Sequence, residues 1–173
     1  EILESLKNDN SKIKVLSVLT QTDDPEIIQE MIKLFDDEKI EIRGEVFSTL
    51  FLNKNNILKE LINGLSHKSK NIRAYVILVL ANRNEKNGIK EIRKLTNDPS
   101  GLVRTCAYGA LGHLEVKESA KELHQGIFDS NLEAVKSAAY ALARIGEKIS
   151  DKEIEVLHKL DESEFRKILK FFN

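Results

Sequence analysis

The chain has 173 residues, 41% of them hydrophobic and 32% charged, with a net charge of −1. That is enough apolar material for one domain of ordinary size, and the balanced charge excludes a global field drawing the chain to nucleic acid or a membrane surface. Two prolines and eight glycines favour helices over turn-rich β structure, and the longest apolar run, residues 74–81, is too short to span a bilayer. The single cysteine, Cys106, excludes an internal disulfide framework and points to a reducing, cytoplasmic setting. The chain opens on Glu1 rather than Met and shows no signal-peptide pattern, which we read as a trimmed start or a fragment boundary.

Leu19, Leu50, Leu80, Leu111 and Leu142 recur every 30 or 31 residues. A period of that size is the mark of one supersecondary unit copied and stacked. Residues 1–7 read as the second helix of an incomplete leading repeat, and five repeats follow at about 8–35, 36–66, 67–97, 98–129 and 130–160. Residues 162–172, with Phe165, Ile168, Leu169 and Phe172, read as a closing helix. Each repeat is a pair of antiparallel helices joined by a short turn, so the expected fold is an all-α solenoid of about twelve helices in a single domain.

In the first repeat Lys12 stands seven residues before its leucine, and Pro25 opens a helix. Arg43, Arg73 and Arg104 hold the same slot in the next three repeats, and Val135 breaks the column in the fifth. Six residues before the last four slots stand Asp37, His67, Asp98 and Asp129. In the fourth repeat Asp98 is the expected N-cap and Pro99 the first helical residue, after which Val103, Ala107, Ala110, Leu111 and Leu114 fall on one helical face. A turn at residues 113–117 leads to a second helix with Ala120, Leu123 and Ile127 inward. Ser130 with Glu133, and Ser150 with Glu153, read as capping boxes. Gly64, alone near the end of a helix, suits a C-cap.

The run Asp98 to Gly112, Asp-Pro-x-x-x-Val-Arg-x-x-Ala-x-x-Ala-Leu-Gly, resembles the HEAT-like repeat of the phycobilisome-lyase type. The resemblance implies a HEAT-like α-α superhelix whose second helices line a concave side where partners bind, with Asp and Arg pairing between neighbouring repeats. His67 and Val135 interrupt that pattern.

Charge concentrates in the third repeat, where residues 67–97 hold eight Lys or Arg against two acids, a net of +6. Lys86, Lys90 and Lys94 are spaced to line one face of its second helix, with Arg93 beside them. These four form the candidate binding site, for a protein partner with acidic chemistry suited to them. Catalytic and metal-binding residues are absent from this reading. His67, His113, His124 and His158 are scattered without carboxylate or thiolate support, no Gly-rich phosphate loop occurs, and Cys106 fills a small apolar slot as an inert thiol. The chain is therefore read as a non-catalytic protein-interaction scaffold needing no cofactor, with no membrane role and with nucleic acid disfavoured. The alternatives are a chromophore-lyase-type enzyme subunit, which the resemblance implies, and nucleic-acid or acidic-ligand binding through the basic third repeat.

Overall fold

A computed structural model describes residues 1–172 and places twelve α-helices and no strand among them. Helices α1 (Ile2–Lys7), α2 (Lys12–Ser17), α3 (Pro25–Lys33), α4 (Ile40–Leu52), α5 (Leu58–Gly64) and α6 (Lys70–Asn82) fall in one compact unit, Glu1–Glu85. Helices α7 (Ile89–Lys94), α8 (Gly101–His113), α9 (Ala120–Gly126), α10 (Leu132–Arg144), α11 (Asp151–Leu157) and α12 (Glu162–Lys170) fall in a second unit that begins at Lys86. The long helices α4, α6, α8 and α10 each have 13 residues, and the short ones that follow them have six or seven. No helix is long and apolar enough to cross a membrane among the described residues.

All five leucines of the 30–31-residue period are buried, four of them completely. Burying a leucine is worth about 1.5–3 kcal/mol, so the column is a main source of cohesion in each unit. Val103, Ala107, Ala110 and Leu111 lie on the buried face of α8, as their spacing predicts, and Leu114, its C-cap residue, is buried as well. The small residues on that face allow close approach in the second unit: a Cβ added to Gly112 would stand 2.7 Å from both Cα and Cβ of Ala141 on α10.

The leucine column also marks where the long helices stop. After α6, α8 and α10 the chain turns through one left-handed residue: Asn84 (φ 55°), Glu115 (φ 54°) and Gly146 (φ 82°). The next N–H, of Glu85, Val116 and Glu147, donates back to the carbonyl of Leu80, Leu111 and Leu142, each at 3.0 Å. This is the bond of a Schellman stop, which satisfies a carbonyl the helix leaves open. Helix α4 has no such turn. There Arg83, its side chain only 8% exposed, donates to the carbonyls of Leu50 at 2.8 Å and Asn55 at 2.9 Å and to that of Asn53. Glu85 balances its charge at 3.2 Å.

Three local expectations are corrected. Helix α8 starts at Gly101, not Pro99. Asp98 does not cap it; its Oδ1 accepts the N–H of Ser100 at 2.9 Å, so the aspartate shapes the turn before the helix. Asn131, not Ser130, caps α10, its side chain accepting the N–H of Ala134 at 3.1 Å. Gly64 is the last residue of α5 and is buried: a Cβ there would stand 2.9 Å from Val76 and 3.3 Å from Ile32, so close packing demands it rather than a C-cap. The capping box of Ser150 and Glu153 is present, and Asp24 caps α3 with Pro25 as its first residue.

Candidate functional site

In the second unit α7, α9 and α11 stand at equivalent places in successive repeats. Ile92, Leu123 and Leu157 anchor them inward, and their outer faces carry most of the charge. The four residues of the basic candidate site separate into two groups. Lys86 lies in a 3-10 turn, Lys86–Gly88, ahead of α7, and Lys90 is the second residue of α7; both are exposed and make no ion pair. Lys94 is exposed and meets Glu91 of its own helix at 3.0 Å, a surface pair worth under about 1 kcal/mol. Arg93 is committed elsewhere. Its Nε donates to Glu122 of α9 at 2.8 Å and its Nη2 to the Glu118 carbonyl at 3.1 Å. The guanidinium thus ties one repeat to the next, and the three lysines remain available to solvent.

The slot aspartates behave as repeat-to-repeat links. Arg104 meets Asp129 through two hydrogen bonds, at 2.8 and 2.9 Å, and its Nη1 donates to the carbonyls of Asp98 and Pro99. Burial alone would raise the Asp129 carboxyl, but the Arg104 guanidinium and the Asn131 N–H hold it below the usual carboxylate value. In the first unit Lys12 meets Asp37 at 2.8 Å, and Asp9 as well. The histidine in the acid slot behaves differently. His67 Nδ1 accepts the N–H of Ser69 at 3.0 Å, as the Asp98 carboxylate does for Ser100, yet the Arg43 Nε is buried without a hydrogen-bond partner.

His124 is the most constrained imidazole. Its Nδ1 meets Glu153 at 2.7 Å and its Nε2 meets Glu147 at 3.1 Å. Burial disfavours its charge, but the hydrogen bonds to the Glu153 and Glu147 carboxylates outweigh this and raise its pKa above the ordinary 6.5. The two carboxylates sit on opposite ring nitrogens, so the trio is a salt link rather than a cation cage; no group of three His, Cys, Asp or Glu among the described residues could hold a metal ion. Cys106 is half-buried, and burial pushes its thiol up to about 11, which leaves it protonated at neutral pH.

Beside His124 lies an open groove of about 480 Å³ between α9 and α11, lined by Lys121, Gln125, Phe128, Ser150 and Glu153. Phe128 is 48% exposed, with the Lys152 ammonium 5.7 Å from its ring centre. Nothing local in the sequence marks this groove, because its walls come from α9 and α11 in successive repeats.

A family model described as HEAT repeats matches residues 58–143. No curated protein sequence matches the chain. Among solved structures, a designed armadillo repeat protein in complex with the peptide (KR)4 is similar at 18% identity with a TM-score of 0.57, over 99% of this chain and 98% of that one. Computationally designed armadillo repeat proteins for modular peptide recognition are similar at 16% identity, TM-score 0.55, over 99% and 98%. An engineered protein is similar at 15% identity, TM-score 0.59, over 98% and 94%. At these identities the likeness establishes the fold, an all-α array of armadillo and HEAT type. The phycobilisome-lyase subtype finds no counterpart among these matches.

Proposed function

We propose that the chain is a non-catalytic scaffold that binds a protein partner across its exposed second helices. The observation that carries this reading is the face of α7 and the turn before it, where Lys86 and Lys90 are exposed and unpaired and Lys94 is held only by a surface contact. Arg93 ties this face to the next repeat through Glu122. Two of the similar structures are designed armadillo proteins, one in complex with a peptide and one made for modular peptide recognition; by analogy this array offers its surface to a protein partner, one with acidic groups suited to these lysines. Its one thiol suits a reducing compartment such as the cytosol.

The chromophore-lyase alternative needs an activated acid, base or nucleophile, and the raised Cys106 and salt-linked His124 argue against it. Nucleic-acid binding through the third repeat would make affinity fall steeply with salt, whereas a packed protein interface is far less salt-sensitive. The test is to recover a partner on the wild-type chain and measure its affinity for the purified variant K86E/K90E/K94E, with circular dichroism as the folding control. Binding should be abolished. Undiminished affinity of the folded variant would overturn the site and move it to the acidic opening repeats around Asp23, Asp24 and Glu30.

A further inference from the structure

The lysines of the second helices repeat with the fold. Lys90, Lys121 and Lys152 are 31 residues apart and each is the second residue of its helix, α7, α9 or α11. Lys86, Lys117 and Lys148 are likewise 31 residues apart and precede the same three helices. All six are exposed and none makes an ion pair. The acids around them are largely engaged: Glu91 with Lys94, Glu122 with Arg93, and Glu147 and Glu153 with His124. Internal pairing therefore takes up part of the negative charge of this face, Glu118, Asp151 and Glu155 staying exposed, and leaves two columns of ammonium groups in solvent. Side chains that need no partner for folding are carried at the same position three times over.

We propose that this face docks an extended acidic peptide, whose carboxylates meet Lys86 and Lys90, then Lys117 and Lys121, then Lys148 and Lys152, while one apolar side chain seats against Phe128. The proposal rests on the scaffold reading and names the partner's chemistry. A peptide suits the face better than a nucleic acid for three reasons. Glu118, Asp151 and Glu155 interrupt the basic columns, and a peptide can leave a gap where each stands, whereas a nucleic acid brings a phosphate with every nucleotide. Single-stranded nucleic acid binding uses successive aromatic platforms, and α9 with its following turn offers one exposed ring, Phe128. The one guanidinium of α7, the group best shaped to grip phosphate, is already spent on Glu122. The groove beside Phe128 supplies what charge alone lacks, an apolar anchor flanked by Lys121 and Lys152.

The experiment is fluorescence anisotropy on the full chain with a labelled 12-residue probe of glutamates carrying one central phenylalanine. The comparison probes are its all-glutamine counterpart, a glutamate probe without phenylalanine, and a 12-mer of thymidylate. The glutamate–phenylalanine probe should bind best. Reversal of one column, K90E/K121E/K152E, should weaken it by about tenfold or more, the product of three rim contacts. The variant K14E/K70E/K170E, which changes net charge equally at lysines that do not belong to the columns, should bind as wild type. Phe128→Ser should reduce affinity to that of the probe without phenylalanine. The proposal is overturned if the glutamate probes do not bind, if both triple variants lose affinity equally, or if the thymidylate binds more tightly. The scaffold reading is scored separately: a partner held equally well by the folded K90E/K121E/K152E variant overturns the peptide site and leaves the scaffold standing.

Discussion

Arg104 reaches from α8 to the head of the next repeat and holds Asp129 with Nε at 2.8 Å and Nη2 at 2.9 Å. The carboxylate is almost wholly buried, and it also accepts the N–H of Asn131 at 2.8 Å before α10 begins and the Tyr108 hydroxyl at 3.5 Å. One side chain therefore both shapes a turn and locks two repeats together.

Asp129→Asn keeps the turn acceptor but removes the charge opposite Arg104. It should cost about 1.5–3 kcal/mol, the range for hydrogen bonds to charged groups, read as a lower urea midpoint. The sign with pH follows from the lowered Asp129 pKa. The link is present above the carboxyl's unfolded value of about 3.8 and is lost as pH falls through its folded value. An unchanged midpoint would show that the pair contributes nothing.

His67 fills the slot that Asp129 fills two repeats later, and Arg43 is the cation whose equivalent partner it should be. His67→Asp should keep the turn bond to Ser69 and give the buried Arg43 Nε a carboxylate. Stability should rise by about 1–2 kcal/mol at neutral pH. Thermal or urea denaturation of the single variant checks it, and a lowered midpoint would refute the equivalence of the two slots.

Leu111 is fully buried, and its carbonyl accepts the Schellman bond from Val116. Leu111→Ala should cost about 2–5 kcal/mol through lost transfer energy and a residual cavity. Because the backbone bond survives the substitution, helix content at low denaturant should stay close to wild type.

The raised pKa of His124 sets a pH dependence of the opposite sign to that of Asp129. Its link to Glu153 and Glu147 is fully present below the unfolded imidazole value of about 6.5 and is lost as pH rises through the folded value. Glu153, whose pKa is lowered, contributes above its unfolded value of about 4.5. The trio should therefore be most stabilising between those limits, and His124→Gln should flatten the alkaline limb of the stability profile. The change should stay under about 1 kcal/mol because the ring is partly solvated. A limb as steep in His124→Gln as in wild type would place the titration elsewhere.

The helices were legible because a 30–31-residue leucine period leaves one arrangement in which every leucine is buried. Helix starts were less so. Asp98 bonds an N–H two residues ahead whether it caps a helix or shapes a turn, so residue type alone could not separate the two. Arg93's engagement is not legible from its own helix, because its partner Glu122 lies 29 residues on, one repeat away. Arg83's role is likewise not legible, since nothing local reveals that it satisfies the carbonyls at the end of α4. The lysine columns were readable in principle: Lys59, Lys90, Lys121 and Lys152 stand 31 residues apart, the period of the leucines themselves.

Carbodiimide cross-linking of the chain to its recovered partner, followed by mass spectrometry, tests the lysine binding face most directly, because it joins lysines only to carboxylates in contact. Cross-links to the partner's acidic residues should come from Lys86 and Lys90, with Lys117, Lys121, Lys148 and Lys152 joining them along the columns. Cross-links confined to Lys14, Lys70 or Lys170, or running from the partner's lysines to Asp23, Asp24 and Glu30, would contradict it.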